Sequence, residues 1–143
     1  MYIDRNPQGN ITLSQHIYCK QLLKWFNIES CLLATTSLSP SLILLIENYS
    51  TIPDETDEMK NIPFHKALGS LMWLQVATRP DLAFSVNKLA HFSYNLGRAH
   101  WNAVKYVLAY VKGMIDYDIT YKGGSSFQLH RYVDSDYAGC KDT

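Results

Sequence analysis

At Gly113 the hydrophobic period of this chain changes. Upstream, apolar residues recur at helical spacing. Downstream they alternate, with Tyr117, Ile119 and Tyr121 separated by Asp118 and Thr120. A period of 3.6 and a period of 2 bury different faces, so no single element serves both. The switch implies an α+β chain, helical for about a hundred residues and strand-forming afterwards.

The helical part divides into four stretches. Tyr18, Leu22 and Phe26 recur at i, i+4 and i+8, with Leu23 beside them and Lys20 and Lys24 off the stripe. That spacing predicts an amphipathic helix ending near Asn27. Ser14 is its expected N-cap, and Leu13 is placed to pack on Tyr18 as a hydrophobic staple. Before it, Ile11-Thr12-Leu13 alternates like the end of a strand, and Asn6-Pro7-Gln8-Gly9-Asn10 is turn chemistry. Phe64 to Ala77 is apolar nearly all round, which predicts a buried helix, with Gly69-Ser70 admitting a close helical neighbour.

Thr78-Arg79-Pro80-Asp81 approximates a capping box, with Thr78 as N-cap, Pro80 in the first turn and Asp81 at N3. The helix it opens is expected to reach about Phe92, with Leu82, Val86 and Leu89 on one face, before Asn95-Leu96-Gly97 breaks it. The last helix runs from about His100 to Lys112. Trp101, Val104, Leu108 and Val111 form its buried stripe, while Arg98, Asn102, Lys105, Ala109 and Lys112 share the opposite side. Residues 30–62 hold turn-forming clusters and an acidic run with no sustained period. They predict a loose linker, with Leu42 to Ile46 docking on something apolar. After Gly113, Gly123-Gly124-Ser125 turns between two alternating runs, the second from Phe127 to Val133, which predicts a hairpin. A lone hairpin is marginal in water and needs a larger sheet or a helix over it.

Apolar residues at 47% and charged residues at 18% describe a globular segment rather than a disordered one. The net charge of zero conceals a separation of sign. Glu47, Asp54, Glu55, Asp57 and Glu58 face the single Lys60 in residues 46–60. Residues 64–113 carry Lys66, Arg79, Lys88, Arg98, Lys105 and Lys112 against Asp81 alone. A basic block of this kind suits a nucleic-acid partner, and it also suits an ordinary solvated helical surface. Arg79 has a second reading of its own, pairing with Asp81 or with the linker carboxylates.

No apolar run approaches the ~20 residues of a membrane span, and the N-terminus lacks the layout of a signal peptide. The expectation is an intracellular product, cytoplasmic or nuclear, with no membrane partner. Cys19, Cys31 and Cys140 show no Cys-x-x-Cys spacing, and the five histidines show no i, i+4 pair. Metal binding through cysteine or histidine is not expected.

Four blocks of residues, in order, resemble the copia-type reverse transcriptases of retrotransposons. They are Ile11-Thr12-Leu13-Ser14-Gln15 with Tyr18 and Leu22-Leu23; Leu68 to Leu74 continuing through Thr78-Arg79-Pro80-Asp81 to Phe84-Ser85-Val86; His100 to Lys105 with Val107-Leu108 and Lys112-Gly113; and Tyr132 to Cys140. The resemblance spans nearly the whole chain. It implies that residues 1–13 are the tail of a polymerase palm, 14–113 a helical thumb or connection region, and 114–143 the incomplete start of a ribonuclease H domain. The fold it implies is a mainly helical, thumb-like region followed by a truncated hairpin that would begin the ribonuclease H sheet.

On that resemblance the parent enzyme is an RNA-directed DNA polymerase with ribonuclease H, and this chain alone would be inactive. Tyr132-Val133-Asp134-Ser135 is similar to a polymerase signature, but its place after the thumb matches Asp134 to the first ribonuclease H carboxylate instead. Asp134 and Asp136, at i and i+2 on a strand, would point to one face and contribute to a magnesium site that other acids must complete. No cofactor is implied for this chain, although the parent would use Mg2+. The implied partners are an RNA–DNA hybrid or a DNA duplex, held weakly and without sequence preference, and the remainder of the polyprotein. Arg98, Lys105 and Lys112, with Arg79 and Lys88 behind them, are the expected contacts to nucleic acid. His65, His91, Tyr106 and Ala109 stand where relatives commonly carry arginine, and Leu96 where they carry proline, so fewer phosphate contacts are expected. Two alternatives compete: a free-standing, non-specific nucleic-acid-binding module, and an inactive protein-interaction remnant.

Overall fold

A computed structural model describes residues 1–39, 59–94, 96–124, 130 and 132. The described residues form three strands, four α-helices and a short 3-10 turn, an α+β arrangement. Strand β1 (Tyr2–Arg5) and strand β2 (Ile11–Ser14) pair antiparallel, with Ile3 opposite Leu13. The expected turn joins them. The Asn6 side chain accepts the Asn10 N–H at 2.9 Å, and Gly9 takes φ of 81°, a conformation that suits a residue without Cβ. Strand β3 (Ile119–Tyr121) pairs with the other edge of β2, giving the order β1-β2-β3. The segment expected to open a separate hairpin is thus joined to the N-terminal strands. Gly123 seals this junction, since a Cβ there would run into the Gly9 carbonyl. The second run of the expected hairpin, Phe127 to Val133, lies largely outside the described residues.

Helix α1 (His16–Trp25) starts one residue later than expected, with Gln15 and not Ser14 at its N-cap position. Ser14 belongs to β2, where its hydroxyl bonds the His16 ring at 2.8 Å and accepts the His16 N–H at 3.4 Å. The helix ends as its pattern requires, and Asn27 turns the chain with φ of 54°. Helix α2 spans Phe64–Ala77 as read from its apolar run. Its burial corrects the sequence reading: Phe64, Ala67, Leu68, Leu71 and Leu74 face the core, but Met72, Trp73 and Val76 are exposed. Among the described residues no helix approaches at Gly69, where a Cβ would meet nothing within 4 Å.

Thr78 is the C-cap of α2 and not the N-cap of the next helix. It is buried, and its hydroxyl donates to Gln15 Oε1 at 2.7 Å, tying the end of α2 to the start of α1. Pro80–Leu82 forms the 3-10 turn and helix α3 (Ala83–Ala90) follows, with Leu82, Val86 and Leu89 fully buried as their spacing indicates. Helix α4 (Arg98–Gly113) packs against α1, α2 and α3 and is the spine of the core through Val104, Val107, Leu108 and Val111. Trp101, expected in the buried stripe, is half-buried and meets Phe26 edge to face with ring centroids 6.3 Å apart. The first part of the stretch read as linker lies along α4. There Thr36 Oγ1 and Tyr106 Oη are 3.2 Å apart and Lys112 Nζ donates to the Cys31 carbonyl at 2.7 Å. The expected docking of Leu42 to Ile46 falls outside the described residues.

Candidate nucleic-acid interface

Arg79 is the centre of a dense polar arrangement among the described residues. Its backbone follows the C-cap of α2, so the side chain enters the core beside α4, where it is 1% exposed. Nε lies 3.0 Å from Asp81 Oδ1, Nη2 lies 2.7 Å from Asp81 Oδ2, and Nη1 donates to the Met114 carbonyl at 2.9 Å. The Tyr110 hydroxyl donates to the same Asp81 Oδ2 at 3.0 Å. The guanidinium carbon sits 5.6 Å from the ring centroids of both Tyr110 and Tyr117. A fork held this way by a carboxylate, a helix-terminal carbonyl and two aromatic faces is what permits a buried arginine. The pairing with Asp81 is the second reading given above for Arg79.

The electrostatics of this centre follow from the geometry. Burial opposes the Asp81 charge, but the hydrogen bonds and charge of Arg79, with the Tyr110 hydroxyl, outweigh it and hold the carboxyl below its ordinary range. Burial likewise opposes the Arg79 charge, and Asp81 outweighs it in turn. Burial raises the Tyr110 phenol and also the Cys19 thiol, which keeps that cysteine a neutral core residue. The expected sites of phosphate contact are spread along α3 and α4. Arg98 opens α4 and is exposed. Lys105 is half-buried on the same helix. Lys112 is half-buried with its ammonium on the Cys31 carbonyl. Lys88, on α3, lies 5.9 Å from the Phe92 ring centroid. Ala109, expected within this basic face, is 8% exposed and belongs to the core. The outward face of α4 is therefore narrower than its sequence suggests.

His100 is a core residue that the sequence reading did not single out. It is fully buried, stacks on Phe92 with centroids 4.7 Å apart, and accepts the Gly97 N–H at Nδ1 at 3.0 Å. This is the reach from N3 back to the N-cap that a capping box makes, with imidazole in place of carboxylate. The signal was available, since Gly97 and His100 have the N-cap-to-N3 spacing. Burial lowers the His100 pKa from its ordinary 6.5. The folded chain therefore holds the neutral ring, while the unfolded chain gains a proton below about pH 6.5. Stability from this site is present above that pH and is lost as the pH falls. Urea midpoints measured at pH 7.5 and pH 5.5 should differ, and His100→Gln, which keeps an acceptor for Gly97, should reduce the difference.

Asp134 and Asp136 lie outside the described residues. Among the described residues, no group of three or more His, Cys, Asp or Glu could hold a metal ion, and no helix is long and apolar enough to cross a membrane. No protein-family model matches the chain and no solved structure does. Three retrovirus-related Pol polyproteins do match. That from transposon TNT 1-94 of Nicotiana tabacum is 38% identical over 127 residues, 89% of this chain. Those from transposons RE2 and RE1 of Arabidopsis thaliana are 36% and 34% identical over 96% of it. Most of this chain is similar to one part of a transposon Pol polyprotein. It spans about a tenth of those relatives' length, covering 10%, 9% and 9% respectively.

Proposed function

We propose that this chain is the grip region of a copia-type retrotransposon reverse transcriptase, followed by the opening of its ribonuclease H. The observation that carries the reading is similarity to three transposon Pol polyproteins over 89–96% of the chain. The chain's role in that assembly is to hold primer–template, with polymerase and ribonuclease H chemistry depending on the rest of the polyprotein. Arg98 and Lys105 on α4 are the leading phosphate contacts, because their side chains reach the surface of the spine helix. Lys88 and Lys112 contribute less, since one lies over Phe92 and the other is held at the Cys31 carbonyl. Arg79 organises the scaffold that carries them. Asp134 is the proposed first ribonuclease H carboxylate, and with Asp136 it needs further acidic ligands before the pair could hold magnesium.

The test is fluorescence-anisotropy binding of the chain to an RNA–DNA hybrid at one low salt concentration. The double variant Arg98→Glu, Lys105→Glu should bind roughly tenfold more weakly or worse, because two phosphate contacts become two repulsions. A folded double variant that binds as the parent does would overturn this assignment.

A further inference from the structure

Strand β2 leads into α1 through Gln15 alone, and Ser14 at that corner pairs with Tyr2 of β1. Tyr2, Ser14 and Gln15 line a recess of about 310 Å³ there, together with the first turn of α1. The amides of that turn are largely unclaimed. Ser14 Oγ accepts the His16 N–H at 3.4 Å, and the Cys19 N–H reaches the Gln15 carbonyl at 2.9 Å. Between these two, the Ile17 and Tyr18 N–H groups have no acceptor among the described residues. Both residues line the recess, and no acidic residue stands in the turn. The positive end of the α1 dipole is therefore left without a counter-charge.

Gln15 is an independent sign that an acceptor belongs here. It is 3% exposed, and its Oε1 accepts the Thr78 hydroxyl at 2.7 Å. Its Nε2 is buried and has no hydrogen-bond partner, so that atom is what Gln15 has left to offer the recess it lines. His16 adds a further donor. Ser14 Oγ lies 2.8 Å from Nδ1, and donation of the hydroxyl proton to Nδ1 leaves the imidazole proton on Nε2. No aspartate or glutamate lines the recess. Backbone amides at a helix N-terminus, joined by a carboxamide and an imidazole, are the donor set of an oxyanion site. The recess is wide enough for a phosphate and part of the molecule that carries it. We propose that it binds a phosphate group, held by the Ile17 and Tyr18 N–H groups with Gln15 Nε2 and His16 Nε2. The site shares no residue with the cations of α4, so it stands or falls independently of the nucleic-acid grip.

The probe is inorganic phosphate, titrated at constant ionic strength into the isotope-labelled full chain and followed by amide NMR shifts. The Ile17 and Tyr18 amides and the Gln15 side-chain amide should move along one saturable curve, and acetate at the same concentrations should move them far less. Gln15→Glu keeps an acceptor for Thr78 and sets a carboxylate where the donor stood, so phosphate binding should weaken roughly tenfold or more. Gln21 also lines the recess and is exposed, so Gln21→Glu brings a negative charge to it without touching the core, and should weaken binding as well. The Arg98→Glu, Lys105→Glu variant should bind phosphate as the parent does, whatever happens to its affinity for a hybrid. A short oligonucleotide with and without a terminal phosphate separates the sources: preference for the phosphorylated form assigns the end of a nucleic acid, and no preference assigns the free ion. Ile17 and Tyr18 amides that do not respond to phosphate would overturn the proposal. So would an equal response to acetate, or unchanged affinity in both glutamate variants.

Discussion

Asp81→Asn destabilises the folded chain by about 2–3 kcal/mol, although it changes one atom. The carboxylate accepts from Arg79 and from Tyr110, and replacing one of its oxygens with an NH2 opposes a donor to one of them. The larger effect falls on Arg79, whose charge stays in the core without its counter-ion. Breaking a fully buried pair costs about 3–5 kcal/mol, and the Asp81 side chain is 33% exposed, which lowers the figure. Arg79→Met in the Asp81→Asn background should recover at least about 1 kcal/mol, because it removes the stranded charge. A urea-denaturation double-mutant cycle measures this, and additive effects would mean that the pair is not coupled. The same pair sets an acid limit. Asp81 titrates below its ordinary range in the folded chain, so its contribution is complete above about pH 4 and is lost as the pH falls through the folded value.

The second large effect separates the two sides of α2. Leu71 is fully buried, and Leu71→Ala should cost about 2–5 kcal/mol through lost burial and the cavity left behind. Trp73, two residues on, is half-exposed, and Trp73→Ala should cost no more than about 1 kcal/mol despite deleting a larger side chain. Thermal midpoints of the two variants provide the comparison. Equal losses would mean that the outer face of α2 is packed against something in the folded chain.

That contrast also marks what the sequence could reveal. The limits of α2 were legible because a stretch that is apolar nearly all round over fourteen residues is too long for a strand. Its orientation was not, because a helix apolar all round has no preferred side until its neighbours are known. The reverse holds for α3, where Leu82, Val86 and Leu89 pointed to the core by spacing alone. Ser14 and Thr78 were read as helix caps from residue type, yet tertiary pairing claimed both: Ser14 joined a strand, and Thr78 closed one helix while bonding to Gln15 on another. Strand β1 went unread. Turn chemistry at Asn6 to Asn10 before a strand implies a partner strand, but Tyr2–Arg5 is short and mixed, and its pairing depends on register with β2. In the candidate interface, the Arg79–Asp81 pair was legible from two residues of opposite charge beside a proline turn. Tyr110, Tyr117 and the Met114 carbonyl were not, since they come from the last turn of α4 and the segment that follows it, some thirty residues on. The burial of Ala109 and the tie of Lys112 to Cys31 also depend on packing between segments distant in sequence.

Binding of the chain to a fluorescent RNA–DNA hybrid, measured across a series of salt concentrations, decides whether it grips nucleic acid. Phosphate contacts by Arg98 and Lys105 predict saturable binding whose logarithm falls with the logarithm of salt at a slope of about −2, since each contact contributes about 0.9. No saturable binding by a chain that melts cooperatively, or an affinity indifferent to salt, would contradict a reverse-transcriptase grip.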